Sequence, residues 1–330
     1  MAQALQIAQR GIGNTAENPA VGCVIIAGKN HIIGVGHTAS GGRPHAETMA
    51  LQMASMAGEG DARSAGAATA YVTLEPCAHH GKTAPCAQSL LAAGISRVVI
   101  AATDPDPRVS GKGIDILRAG GIEVTTGVLE DEARFQLRGF FSRITRGRPH
   151  VTLKMAVSSD GKIAAACGKQ TAITGPAFKS RVHLLRARYD AILVGAGTVR
   201  ADNPSLTCRL PGMSHLSPKR VVVGGGDDLT LEKPVLHFPG HVDFNEVLQE
   251  LGKRGINMVL VEGGAEVAKS LLEADLIDEV ILATAPVEIG EQGVDALAGL
   301  PLTEIAANER FVLKGQETLG SDVVRHYLHI

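Results

Sequence analysis

Residues 73–86 read Thr73-Leu74-Glu75-Pro76-Cys77-Ala78-His79-His80-Gly81-Lys82-Thr83-Ala84-Pro85-Cys86. The apolar run 70–74 has strand character. A helix is expected over 86–93, stopped by Gly94. Two cysteines therefore stand at chemically distinct places, Cys77 just past a strand end and Cys86 at a helix start. Upstream, His45-Ala46-Glu47 follows the loop Gly41-Gly42-Arg43-Pro44 and opens another helix, 45–56. Its Ala46, Met49, Ala50, Met53 and Ala54 recur at helical spacing. Imidazole nitrogen and thiolate sulfur suit zinc, and a catalytic zinc keeps one of four positions for water. His45, Cys77 and Cys86 thus predict a three-ligand zinc site, one ion per chain. Helix starts carry partial positive charge, which favours a thiolate there.

Glu47 completes the pattern. Two residues after His45 at a helix start, it can face the same cavity without binding the metal. Zinc lowers the pKa of its water, and the resulting hydroxide can attack a ring carbon bearing an exocyclic amine. Ammonia leaves well only when protonated, so a group must carry the proton from water to that nitrogen, and Glu47 is suited to it. The expected reaction class is deamination. A structural zinc site is the alternative. It would usually need a fourth protein ligand, for which His79 or His80 is best placed.

Outward from this core, strand and helix signals alternate. A helix is expected over 2–9, a hairpin over 21–26 and 31–35, and a strand over 97–102. A helix at 114–119, a strand at 122–128 and a helix at 131–144 follow. Arg146-Gly147-Arg148-Pro149 interrupts the pattern and is read as a linker, 146–149, between domains 1–145 and 150–330. The second half predicts strands at 151–157, 191–194, 220–223, 258–261 and 279–282. Helices are expected at 176–188, 244–254 and 265–274. Both halves read as α/β sheets with helices on their faces.

With 330 residues, two domains are expected. Lys plus Arg is 32 against 34 for Asp plus Glu, and there is no Trp with only three Tyr and seven Phe. No obvious basic stripe stands out and stacking platforms, the marks of a nucleic-acid binder, are scarce. A small-molecule substrate is expected. No apolar run reaches membrane-span length and 1–13 does not read as a signal peptide, so a cytoplasmic enzyme is expected. Five cysteines in such a chain favour metal binding or free thiols over disulfides. Cys23 lies in an apolar strand and reads as core, and Cys167 and Cys208 are assigned no role.

Zinc nucleobase deaminases usually space their cysteines as Pro-Cys-x-x-Cys, whereas eight residues separate Cys77 from Cys86 here. This extended run closely resembles that of the bifunctional riboflavin-biosynthesis deaminase/reductase family. So do Asn18-Pro19-Ala20-Val21-Gly22, Val151-Thr152-Leu153-Lys154 with Asp160-Gly161-Lys162, the run from Ala201 to Arg209, and Glu262-Gly263-Gly264. The resemblance covers nearly the whole chain. It implies a cytidine-deaminase-like α/β domain followed by a dihydrofolate-reductase-like α/β domain. It also implies two successive reactions on a phosphorylated pyrimidine: zinc-dependent deamination, then NADPH-dependent reduction of the ribosyl to a ribityl chain. Asn18, His79, Lys82, Asp104 and Asp106 would line the deaminase pocket, with Lys82 offering charge to a phosphate. In the second half Lys154 and Glu262 would meet the ribose. Arg186, Leu206 and Arg209 would contact the substrate, the arginines matched to its phosphate. Ala156, Ala172, Thr198, Asp202 and the Gly263-Gly264-Ala265 turn would lie by NADPH. A homo-oligomer is expected.

The chain departs from the family pattern at defined points. Asp106 stands where Asn is usual, and Ala172 where a Trp typically packs by the nicotinamide, within Gln170-Thr171-Ala172-Ile173-Thr174. Gly224-Gly225-Gly226 follows 220–223 where an Asp is usual, and 224–245 is short by roughly one strand–helix connection. Two other readings stay open at this point. One is a deaminase with an inert second domain, the other a deaminase acting on tRNA.

Overall fold

The computed structural model describes residues 1–28, 30–56, 68–79, 84–165, 172–226, 229 and 234–330. The chain divides into two compact units, Met1–Gly147 and Arg148–Ile330.

The N-terminal unit is built from α1 (Ala2–Ala8), β1 (Gly22–Ala27), β2 (His31–His37), α2 (Ala46–Ala54), β3 (Ala68–Leu74), α3 (Cys86–Ala92), β4 (Arg97–Ala102), α4 (Lys112–Ala119), β5 (Glu123–Thr125), α5 (Glu130–Gln136) and α6 (Arg138–Arg146). Its five strands run in the order β2-β1-β3-β4-β5. β1 pairs antiparallel with β2 and β3, while β3, β4 and β5 run parallel. Cys23, Ile25, Val72, Val98 and Ile100 are buried in the core, as near-continuous apolar strands between helices should be.

Glycine and alanine together set how close α2 comes to the sheet. A Cβ on Gly34 would stand 2.2 Å from the carbonyl oxygen of Ala50, and one on Gly36 would stand 2.2 Å from that of Ala46. Any side chain at either position would push α2 outward, because these distances lie far inside contact range. That helix begins at His45 and Glu47, so two glycines of β2 fix the depth at which the chemistry sits.

The C-terminal unit contains β6 (His150–Val157), β7 (Lys162–Ala164), α7 (Pro176–Arg188), β8 (Ala191–Gly195), α8 (Ala196–Asp202), β9 (Lys219–Val223), β10 (Val235–Phe238), α9 (Phe244–Lys253), β11 (Met258–Val261), α10 (Ala265–Glu273), β12 (Glu279–Thr284), β13 (Val294–Asp295), α11 (Thr303–Ala306), β14 (Phe311–Leu319) and β15 (Asp322–His329). Eight strands form one sheet, β10-β9-β8-β11-β6-β12-β15-β14. The six strands from β10 to β12 are parallel, and the β14–β15 hairpin adds an antiparallel edge. Glu262 and the Gly263-Gly264 turn directly follow β11. They therefore lie at the carboxyl end of a parallel strand, where ligands bind in sheets of this kind.

Several expectations are corrected. The helix expected over 131–144 is two helices, because Leu137 leaves helical geometry at φ −95° and ψ 11°. The strand expected over 122–128 ends at Thr125, and Gly127 turns the chain at φ +82°. α8, β10 and the final hairpin were not expected. Arg146 of the expected linker closes α6, whereas Arg148 binds Asp278 through both terminal nitrogens at 2.7 and 2.9 Å. In the short region after β9, Gly224 and Gly225 take φ of +79° and +73°, and β10 then pairs parallel with β9. Among the described residues no helix is long and apolar enough to cross a membrane.

Candidate active sites

In the N-terminal unit, His45 ends the extended approach to α2 with φ −71° and ψ 160°, Cys77 follows β3, and Cys86 is the first residue of α3. Their donor atoms lie within 4.8 Å of one another. His45 Nδ1 is 3.8 Å from Cys77 Sγ and 3.4 Å from Cys86 Sγ. Tetrahedral zinc with bonds of 2.0–2.3 Å separates neighbouring donors by about 3.6 Å. Two sulfurs and one imidazole at these spacings therefore fit zinc, and among the described residues no fourth protein ligand joins them.

The backbone N–H of Cys86 donates to Cys77 Sγ at 3.3 Å. The Cys86 thiol, this N–H and His45 hold Cys77 down at about 4, against the opposing effect of burial. Cys86 is pushed up by its donation to Cys77 and by burial. Glu47 is 4 % exposed. Burial first, and then the charge of Cys77, raise its carboxyl to about 7. A carboxyl poised there can accept and return a proton near neutral pH.

His45, Glu47 and Cys77 line a cavity of about 360 Å³, within the range of small-ligand sites. Asn18, His79, Asp104 and Asp106 line it, as expected. Lys82 and His80 lie outside the described residues. The cavity also gathers Arg43, Arg108, Phe140 and Arg143, which the sequence reading did not single out. Arg143 reaches it from α6 and donates to the Glu17 carbonyl at 2.7 Å.

Asp106 does not present a free carboxylate. Arg108 Nε donates to both oxygens, at 3.0 and 2.9 Å, and the Arg108 backbone N–H donates as well. This pairing keeps the Asp106 carboxyl below its ordinary value. Asp104 is different. Burial raises it to about 6, with repulsion from Asp106 and Glu75 adding to the effect.

Glu75, part of the motif that carries Cys77, is 3 % exposed and accepts four backbone N–H groups. No periodicity could reveal this, because the donors come from residues 104–114.

In the C-terminal unit, Lys154 of β6, Arg186 of α7 and Glu262 after β11 converge. Lys154 Nζ donates to Glu262 Oε2 at 3.2 Å. Arg186 grips the same carboxylate with Nε on Oε1 at 2.8 Å and Nη2 on Oε2 at 3.0 Å. Burial alone would raise Glu262, but Lys154 and Arg186 overcome it and hold the carboxyl at about 2. Arg186 also donates to the Thr207 carbonyl at 3.2 Å, so its guanidinium is bound within the protein. Leu206 is buried at φ +55°. Arg209 is exposed and donates to Ser205 Oγ at 3.2 Å. His183 Nδ1 accepts the Arg209 N–H at 3.3 Å.

Gly264 is the N-cap of α10, and a Cβ there would stand 3.4 Å from Thr198 Oγ1 of α8. Gly264 thus brings the N-terminus of α10 close to the Thr198 hydroxyl. Ala265 follows as the first residue of the helix. Ala156 lies on β6, Asp202 ends α8, and Ala172 is exposed ahead of α7.

Two family comparisons divide the chain as its chemistry does. The cytidine and deoxycytidylate deaminase zinc-binding region matches residues 1–102. The RibD C-terminal domain matches residues 149–325. The chain belongs to the RibD family. Riboflavin biosynthesis protein RibD of Escherichia coli is 37 % identical, covering 99 % of this chain and 97 % of that one. Its counterpart in Haemophilus influenzae is 38 % identical, covering 99 % and 96 %. Among solved structures, a diaminohydroxyphosphoribosylaminopyrimidine deaminase/5-amino-6-(5-phosphoribosylamino)uracil reductase from Thermotoga maritima superposes with a TM-score of 0.88 at 36 % identity. That match covers 100 % of this chain and 97 % of that one. Acinetobacter baumannii RibD gives a TM-score of 0.88 at 35 % identity, with the same coverage.

As a RibD enzyme the chain is a deaminase fused to an oxidoreductase, works in riboflavin biosynthesis, and uses zinc and NADPH. Its deaminase part is cytidine-deaminase-like and its reductase part dihydrofolate-reductase-like.

Proposed function

We propose that the N-terminal unit deaminates diaminohydroxyphosphoribosylaminopyrimidine, and that the C-terminal unit then reduces 5-amino-6-(5-phosphoribosylamino)uracil to its ribityl form. The observation that carries the first step is the buried Glu47 on one cavity wall with His45 and Cys77, whose donor atoms cluster with that of Cys86. Zinc held by those three residues supplies Lewis acidity for attack by water. Glu47 takes the proton of the attacking water and delivers it to the departing amine. Asn18, His79 and Asp104 offer hydrogen bonds to the polar ring. Lys82 and the cavity's arginines supply charge for the phosphate. Asp106 acts through Arg108, which it holds at the cavity.

In the second step NADPH supplies the hydride. Thr198, Gly263, Gly264 and Ala265 would hold its phosphates, and Ala156, Ala172 and Asp202 would also line its site. Lys154 directs an N–H donor toward the ribose oxygen released as the sugar ring opens, and Glu262 keeps that ammonium in place at 3.2 Å. Leu206 and Arg209 shape the substrate end, and Arg186 anchors Glu262. The near balance of 32 basic and 34 acidic residues supports a small-molecule substrate rather than a nucleic acid. We place the enzyme in the cytoplasm as a homo-oligomer, with the deaminase part as 1–145 and the reductase part as 150–330.

The test is ammonia release from the diaminopyrimidine with and without its 5-phosphate. The phosphorylated compound should be turned over with the lower KM. Release from neither would overturn the substrate assignment.

A further inference from the structure

A buried carboxylate, Glu75, stands directly before Pro76-Cys77. Glu75 lines the deaminase cavity, and its own N–H donates to Ala102 at the end of β4. Its oxygens accept four backbone N–H groups. Oε2 takes those of Asp104 at 3.3 Å and Gly111 at 3.0 Å, and Oε1 takes those of Gly113 at 3.0 Å and Ile114 at 3.3 Å. The last two belong to the first turn of α4, whose N-cap, Gly111, has no side chain to cap with. Glu75 thus supplies from another strand the cap that the helix lacks. An ionised carboxylate accepting N–H groups makes stronger bonds than a neutral acceptor.

The consequence reaches the cavity. Residues 104–111 span from the first to the second donor on Oε2, so both ends of this loop are tied to one atom. Inside it, the Asp106 N–H donates to Asp104 Oδ1 at 2.8 Å and Arg108 is clamped on Asp106. Gly113 closes the arrangement, since a Cβ there would stand 2.0 Å from the carbonyl oxygen of Pro76. The strand end carrying Cys77 and the loop carrying Asp104 and Arg108 are therefore fastened to each other through Glu75.

We infer that Glu75 is a positioning residue of the deaminase, setting the substrate-reading loop 104–111 against the metal-ligand strand end. The inference rests on the deaminase reading above. Glu75 touches no reacting atom, so its effect falls on substrate binding.

The test is Glu75→Gln in the full-length, zinc-loaded enzyme. Glutamine keeps one acceptor oxygen but turns an NH₂ group toward two N–H donors. KM for the diaminopyrimidine should rise about tenfold with kcat changed much less. Zinc should stay at one per chain, and NADPH consumption should be unchanged when 5-amino-6-(5-phosphoribosylamino)uracil is supplied directly. An unchanged KM would overturn the inference, as would loss of zinc or of the N-terminal unit's fold, because Glu75 would then serve stability alone. A wild-type enzyme that released no ammonia would overturn the substrate reading and this inference with it. An active wild type with an unaffected variant would overturn this inference only.

Discussion

Arg186 and Glu262 form a two-point ion pair, Nε to Oε1 at 2.8 Å and Nη2 to Oε2 at 3.0 Å, with Lys154 on the same carboxylate. Their side chains are 12 % and 8 % exposed. Two cations thus share one buried anion. Glu262→Gln would take away the buried negative charge that both cations share. Removing one partner of a buried pair costs about 3–5 kcal/mol. The variant should lose NADPH-dependent reduction and melt earlier in the C-terminal unit, while ammonia release persists. Parallel measurement of both activities on one preparation checks this.

The same carboxylate predicts an acid limit. Glu262 lies at about 2 in the fold against an ordinary value of 4.5. A lowered carboxyl contributes stability that is complete above its unfolded value and is lost as pH falls through its folded value. Denaturant unfolding of the C-terminal unit should therefore show a loss between about pH 4.5 and pH 2, and Glu262→Gln should flatten that stretch of the profile. A variant with the wild-type slope would contradict the assignment.

Asp104 predicts the opposite sign. Its carboxyl is raised to about 6 from 3.8, chiefly by burial. Ionisation in the fold therefore costs stability, and the cost grows from about pH 4 to pH 6 and is constant above. Asp104→Asn removes that cost and keeps an oxygen to accept the Asp106 N–H. Relative to wild type, the variant should melt a few degrees higher at pH 7.5 than at pH 4. Its KM for the pyrimidine should rise. Melting curves of the zinc-saturated protein at the two pH values measure the difference.

Glu47→Ala separates chemistry from metal binding. His45, Cys77 and Cys86 remain, so zinc should stay at one per chain. Deamination should fall by about 10²–10⁴ or more, the usual contribution of a positioned proton carrier. Zinc analysis beside an ammonia assay decides it. Full activity without Glu47 would remove its proposed role.

The metal donors were legible because His45, Cys77 and Cys86 have few other uses in this pattern, and each stands at a strand end or helix start. Glu262 and Lys154 could be named from the resemblance, but their common ion pair with Arg186 could not, since it joins β6, α7 and the end of β11. Glu75 was invisible for the same reason, its four donors being contributed by a loop and a helix start distant in sequence. The final hairpin escaped because β14 is exposed along nearly its whole length and shows no alternation of apolar and polar residues. Leu137 looks helical in sequence, yet it breaks the helix with its side chain buried in the core.

The most direct measurement of the central claim is one reaction containing the ring-opened phosphoribosyl pyrimidine, zinc-loaded protein and NADPH, with ammonia and NADPH followed together. The account predicts ammonia release first, then consumption of NADPH approaching one equivalent per ammonia. Ammonia without NADPH loss would contradict the reductase half, and no ammonia at all would contradict the account at its first step.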